Sequence, residues 1–221
     1  MVSDNEKTIK KEIVTYAKIL DSKGLVNSVE GNLSVMDREN GELYITPSGT
    51  RKLFLNEDSI AVMLGDKQVG GTLKHSSEYL LHVEALKARP DCNAAAHIHA
   101  PYLTAYAYCG RDIEIKCSTT FALLFGNKIP CLPYGEPGTV HIADGIKDAL
   151  KRNDLVLLAN HGVISVGKTL EDAVKVIEAA EEVLKIYTIA KRIGPLSEIT
   201  PEQYETLSNN HPASVKNRFN I

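Results

Sequence analysis

The chain has 221 residues, 43% of them hydrophobic, enough to bury one substantial core, and residues 1–221 read as a single domain. A formal charge of −3, no tryptophan and no Lys or Arg run longer than a pair exclude the electrostatic footprint of a nucleic-acid binder or of a protein held on an anionic membrane. The opening residues mix charge with apolar side chains at helical spacing, so neither a signal peptide nor a membrane span is expected and the chain reads as cytoplasmic.

Ile9, Ile13, Tyr16, Ala17 and Leu20 recur at intervals of three and four, which predicts an amphipathic helix ending near Lys23-Gly24. From Ser28 to Ile60 the sequence changes to short apolar runs cut by turn residues: NLSVM, DRENG, ELYIT and PSGT predict a strand, a hairpin connection and a second strand. VMLGDKQVGG repeats that pattern. HSSEYLLHVEALKARP then predicts a helix from about Ser76, with a serine as N-cap, Glu78 in its first turn and Pro90 beyond its end.

Asn93 to His99 is a short β-like run, and PYLTAYAYCG suits a helix opened by Pro101. IEIKCS, KIPCLPY, DLVLLAN and GVISVG are further strand candidates. The longest helical periodicity, TLEDAVKVIEAAEEVLKIYTIAKRI, opens with Thr169 and Asp172 in capping-box spacing and closes at Gly194-Pro195. From about Ser197 mixed polarity and Pro212 predict a short helix followed by a mobile tail. Several strands are joined by connections too short for a parallel crossover, so the sheet should be largely antiparallel or mixed, with helices covering it. Cys92, Cys109, Cys117 and Cys131 fit neither a C-x-x-C motif nor a small disulfide scaffold, and are expected as reduced, largely buried thiols.

Two constellations carry chemistry. In NAAAHIHAP, side chains two apart on a strand share a face, so His97 and His99 can reach one ion. His161 follows the apolar run LLAN and precedes Gly162, where a strand opens into a turn. Three neutral imidazoles and an open position are the pattern of a catalytic zinc site. By spacing alone H-x-H is equally the pattern of a satisfied core or surface pair. Glu78 lies near a helix N-terminus, which favours its ionised form. His82, four residues on, shares that helical face, but no partner motif supports a second metal pair; His75, His141 and His211 have no ligand-like spacing. Separately, Gly31-Asn32, Ser48-Gly49 and Ser76-Ser77 each combine backbone N–H groups with a neutral donor, and together they can cradle a phosphate without an arginine. Each taken alone is also an ordinary turn or cap.

The ordered set G-N-L-S, T-P-S-G, S-S-E, H-I-H-A and N-H-G resembles the class II aldolase, ribulose-phosphate epimerase and adducin head family, from about Glu6 to Lys191 and most closely its L-fuculose-1-phosphate aldolase branch. That resemblance implies a three-layer α/β/α sandwich around a mainly antiparallel sheet. It implies one Zn²⁺ per subunit, with Mn²⁺ or Co²⁺ as alternatives, held by His97, His99 and His161, with Glu78 able to ligate the resting ion and move off as the base. Asn32, Ser48, Gly49, Ser76 and Ser77 match the family's phosphate-binding positions, and its aldolases and epimerases are typically homotetramers with interfacial active sites.

S-S-E-Y resembles the aldolase branch, which implies cleavage of a ketose 1-phosphate to dihydroxyacetone phosphate and a small aldehyde. Epimerisation, decarboxylation or dehydration of a sugar phosphate, and a non-catalytic adducin-like module, are the alternatives. One departure stands out. Where the resemblance implies a tyrosine upstream of Asn127-Lys128-Ile129-Pro130, this chain has Ser118-Thr119-Thr120-Phe121, and its C-terminal SVKNRFNI offers only Phe219.

Overall fold

The computed structural model of the protein describes residues 4–220. The N-terminal periodicity forms α1 (Asp4–Ser22), which buries Ile9, Ile13, Ala17 and Leu20. β1 (Asn32–Asp37), β2 (Glu42–Ile45), β3 (Ala61–Leu64) and β4 (Lys67–Gly70) follow as a meander, then α2 (Tyr79–Ala88), β5 (Ala94–Ile98) and α3 (Pro101–Tyr108). The remainder is α4 (Thr119–Phe125), β6 (Cys131–Leu132), α5 (Ile146–Ala149), β7 (Leu155–Leu158), β8 (Gly162–Gly167), α6 (Leu170–Ile193), α7 (Pro201–Asn210) and α8 (Val215–Phe219).

The strands form one eight-stranded sheet in the order β4-β3-β2-β1-β5-β8-β7-β6. Every pairing is antiparallel except β6 with β7, as the short connections require. Strand alternation divides the core into two layers. Leu33, Val35, Ala94, Ala96 and Ile98 pack with residues of α1, α3 and α6, whereas Ala95 packs with Leu81 and Leu86 of α2 and Ile146 of α5. The sheet is thus sandwiched between helices, a three-layer α/β/α arrangement. Burying each such aliphatic side chain contributes roughly 1.5–3 kcal/mol, which makes this alternation the main determinant of register.

That register places the site. Asn32 pairs with His97 and Ser34 with Ala95, so Asn32, Ser34 and His97 all lie on the α2 side of the sheet. Because β1, β5 and β8 are antiparallel neighbours, the start of β1, the end of β5 and the start of β8 meet at one end of the sheet.

Several expectations are corrected. The second helix begins at Tyr79 rather than Ser76, because the Glu78 N–H donates to Ser76 Oγ at 3.2 Å and the chain turns there; Glu78 is the N-cap residue, and Ser76 and Ser77 precede the helix. IEIKCS is not a strand. Only Ile113 pairs, in an isolated bridge with Ile129, while Ile113 and Ile115 anchor the segment in the core. The helices α4 and α5 lie where none was predicted, α4 being capped by Ser118.

The C-terminal stretch forms α7 and α8, which pack against the rest of the fold. Thr200 and Gln203 form a capping box for α7, the Tyr204 hydroxyl donates to Ile115 O at 3.3 Å, and Arg218 donates to Leu124 O at 2.6 Å and pairs with Asp154. All four cysteines are free, but only Cys92 is buried and Cys109 is exposed. Among the described residues no helix is long and apolar enough to cross a membrane.

Candidate metal centre and anion pocket

His97 is the fourth residue of β5 and fully buried. Its Nδ1–H donates to Val163 O on β8 at 2.8 Å, which fixes the tautomer and leaves the Nε2 lone pair free. His99 follows the last residue of β5, with Nδ1 at 3.4 Å from Glu30 Oε2. His161 sits in the turn joining β7 to β8, after Asn160, whose φ of 60° bends the chain sharply enough to return it. One nitrogen from each of the three histidines lies within 4.8 Å of the others, and they are the only such group of potential ligands among the described residues.

The close approach depends on Gly162, where a Cβ would stand 2.8 Å from both His99 Cδ2 and Ile98 O. Small residues on β5, Ala94 to Ala96, serve strand packing instead: all three are buried in the two core layers.

The donor set suits a cation. His97 Nε2 and His99 Nε2 face each other at 3.2 Å, close to the separation of about 3.3 Å expected for two nitrogens at about 2.05 Å around a tetrahedral ion. With the His97 Nδ1–H spent on Val163 O, His97 Nε2 presents a lone pair toward His99, a position that suits a cation between the rings. Glu78 Oε1 and His161 Nδ1 are buried atoms of the same cluster without a hydrogen-bond partner. Glu78 Oε1 stands 3.1 Å from His161 Nε2, out of hydrogen-bond alignment, and Oε2 stands 3.3 Å from His97 Nε2. Burial works against ionisation of Glu78, while His161 and His97, when protonated beside it, outweigh burial and hold its carboxyl well below the usual carboxylate range. Burial, and then the neighbouring His97 and His161, push His99 down to about 3, keeping it neutral and able to ligate.

All five candidate phosphate residues reach one place. Asn32, Ser48, Gly49, Ser76 and Ser77 line a cavity of about 330 Å³ together with Glu78, His99 and His161. The bridge between Pro47 and His75, with Ser48 N–H donating to Lys74 O at 3.0 Å, brings the Ser48-Gly49 turn beside Ser76-Ser77. Asn32 is engaged as well: its Nδ2–H donates to Glu78 Oε2 at 2.9 Å.

Three supporting residues escaped the sequence reading. His82, set aside as a ligand, is fully buried behind the site, with Nδ1 2.7 Å from Ser34 Oγ and Nε2 against Asn32 Oδ1. Lys52, only 2% exposed, donates from Nζ to Val29 O at 3.2 Å and Thr50 O at 3.3 Å, tying together the loops that bear Gly31-Asn32 and Ser48-Gly49. Burial pushes its ammonium down to about 8 against the pull of Asp21 and Glu78. Glu30 is the third. Each was visible as a residue, but no local spacing links Lys52 to Val29 or His82 to Ser34. At the segment where the resemblance implies a tyrosine, Ser118 is spent on capping α4 and Phe121 is buried; Phe219 stacks with Arg89, the guanidinium 5.0 Å from its ring centre.

Residues 11–188 match the family of the Class II Aldolase and Adducin N-terminal domain. The chain is 32% identical over 201 residues to a 5-deoxy-D-ribulose 1-phosphate aldolase of Bacillus thuringiensis serovar kurstaki, covering 90% of this chain and 93% of that protein. It is 30% identical over 189 residues to a 3-oxo-tetronate 4-phosphate decarboxylase of Pectobacterium atrosepticum, covering 84% and 86%. Among solved structures, an L-fuculose 1-phosphate aldolase superposes with a TM-score of 0.82 at 31% identity, covering 94% of this chain and 96% of the other.

Proposed function

The chain belongs to the class II aldolase and adducin N-terminal domain family, and on that premise we propose a zinc-dependent aldolase that reversibly cleaves a ketose 1-phosphate into dihydroxyacetone phosphate and a small aldehyde. It is an enzyme of the lyase class. The observation that carries the reading is the meeting of Glu78, two of the three clustered histidines and five anion-binding candidates in one cavity.

His97, His99 and His161 are assigned to hold the divalent ion, with Glu78 completing the resting site. When bound, that ion supplies Lewis-acid polarisation of the ketose carbonyl and so favours the enediolate left when the C3–C4 bond breaks. In cleavage the C4 hydroxyl loses its proton, its oxygen becomes the aldehyde carbonyl, and the electron pair of the broken bond stays with the triose. Glu78, reprotonated through solvent by the proton the C4 hydroxyl gives up, delivers a proton to C3, and as the carboxylate removes it in the reverse direction. Asn32, Ser48, Gly49, Ser76 and Ser77 hold the C1 phosphate, so binding energy remote from the reacting carbons fixes their position. Lys52 supplies compensating positive charge from behind the loops.

The missing tyrosine favours an aldehyde that needs little recognition, such as the acetaldehyde released from a 5-deoxypentulose 1-phosphate, in keeping with the Bacillus relative. Decarboxylation of a sugar-acid phosphate is the second reading, favoured by the likeness to the Pectobacterium enzyme. We further assign one Zn²⁺ per subunit, replaceable by Mn²⁺ or Co²⁺, a cytoplasmic homotetramer with interfacial sites, and a single domain over 1–221, of which 1–3 and 221 lie outside the described residues.

The test is a Zn²⁺-loaded preparation assayed with fuculose, rhamnulose, ribulose and 5-deoxypentulose 1-phosphates. Release of dihydroxyacetone phosphate from at least one is expected. No triose phosphate from any, with CO₂ released from a 3-oxo acid phosphate, would replace the aldolase by the decarboxylase.

A further inference from the structure

We infer that His82, backed by Ser34, is a positioning residue that fixes which end of the Asn32 side-chain amide faces the active cavity. The inference follows from the polarity of one buried chain of hydrogen bonds. Glu78 as a carboxylate only accepts, so the Asn32 atom 2.9 Å from its Oε2 must be the NH₂ group. Asn32 Oδ1 therefore faces His82 Nε2, and that nitrogen must carry the proton. A neutral imidazole has one N–H, so His82 Nδ1 is the acceptor and the Ser34 hydroxyl, 2.7 Å away, donates to it. Every bond in the chain points the same way, from Ser34 through His82 and Asn32 to Glu78.

The neutral state is secured by surroundings: His82 and Ser34 are fully buried and Asn32 is 5% exposed. The backbone offers no freedom either, since Asn32 is locked opposite His97 in the β1–β5 ladder. Only rotation of the amide remains. Without a donor at His82 Nε2, a half-turn would aim the Asn32 carbonyl at the Glu78 carboxylate and take the N–H donors away from both the base and the anion pocket. His82 and Glu78 lie four residues apart on α2 and its N-cap, which is why one helix can carry both the base and the group that orients the base's partner.

The inference rests on the roles proposed for Asn32 and Glu78, and its test separates the two. In the metal-free protein, long-range ¹H–¹⁵N correlation of the imidazoles should show His82 as the Nε2–H tautomer; an Nδ1–H tautomer overturns the inference whatever the enzyme's substrate. Inorganic phosphate binding is then measured calorimetrically on the Zn²⁺-loaded wild type, Asn32→Ala, His82→Phe, His82→Gln and Asn32→Ala/His82→Phe. His82→Phe should weaken phosphate about tenfold, which corresponds to about 1.4 kcal/mol. His82→Gln, which retains an N–H toward Asn32, should recover most of the loss. The double variant should bind no more weakly than Asn32→Ala alone. Additive losses, or equal losses in the Phe and Gln variants, would mark His82 as merely structural and overturn the inference. If the wild type binds no phosphate, the anion-pocket reading fails and the tautomer alone decides the orientation.

Discussion

Replacing Gly162 with alanine places one methyl group where two strands and a histidine converge. Its Cβ would lie 2.8 Å from His99 Cδ2, 2.8 Å from Ile98 O and 3.3 Å from His99 Nε2. Reaching ordinary van der Waals separation requires a displacement of about 0.6 Å. The Ile98 carbonyl cannot recede without disturbing the β5–β8 ladder, in which Ile98 pairs with Val163, so the His99 ring or the start of β8 must move. Metal–ligand distances tolerate only about 0.2 Å. Even losing a supporting contact to a metal ligand costs about 10- to 100-fold in affinity, and a shifted ligand should cost at least as much. Overpacking should also destabilise the fold by about 1–3 kcal/mol.

Competition with a chromophoric chelator measures the zinc affinity, and thermal unfolding of the metal-free protein measures the second effect. Gly65→Ala is the control. Gly65 has φ 59° and nothing within 4 Å of the point a Cβ would occupy, so that variant should lose stability from backbone strain alone and keep its zinc affinity. Wild-type zinc affinity in Gly162→Ala would refute the argument that β8 holds His99 in ligating position.

His97→Ala should lose metal and turnover together, whereas Glu78→Gln should keep most of the metal and lose turnover by at least about a hundredfold; full turnover in the Gln variant, read alongside metal content, would remove Glu78 as the base. Ser77→Ala should raise KM for a phosphorylated substrate by roughly tenfold with little change in kcat, and an equal rise with an unphosphorylated analogue would count against the anion pocket. Acid stability offers a fourth check. Burial, then His97, pushes His82 from its ordinary range down to about 3, with Glu78 opposing. The unfolded chain therefore binds a proton between about pH 6.5 and 3 that the folded chain refuses, and stability falls as pH drops through that window by several kcal/mol in total. Urea unfolding of metal-free wild type and His82→Gln across that range should show the variant's stability falling less steeply; parallel curves would show that His82 is not buried as a neutral ring.

Periodicity alone located α1 and α6, and turn residues separated β1 from β2 and β7 from β8, because those elements are decided by local spacing. The same logic misplaced the start of α2. A serine before a helical pattern is an ordinary N-cap, yet Ser76 is spent accepting from Glu78, two residues on, in a turn that keeps Ser76 and Ser77 at the cavity. IEIKCS shows the converse, being apolar enough for a strand but anchored by two isoleucines without a partner strand beyond Ile129.

For the site, the sequence alone supplied the ligand types and one real geometric constraint, the shared face of His97 and His99, since alternation along a strand is a local property. His161, Glu78 and the five candidate anion-binding residues were also visible as candidates, and the resemblance of the ordered motifs joined them into one set. Only the tertiary structure decided that His161 returns beside them, through a turn whose left-handed Asn160 and side-chain-free Gly162 let β8 approach His99. It alone also showed the contacts of Ser34, His82 and Lys52. Their partners lie far along the chain, and contacts of that kind are fixed by strand register and helix packing, which local spacing does not encode.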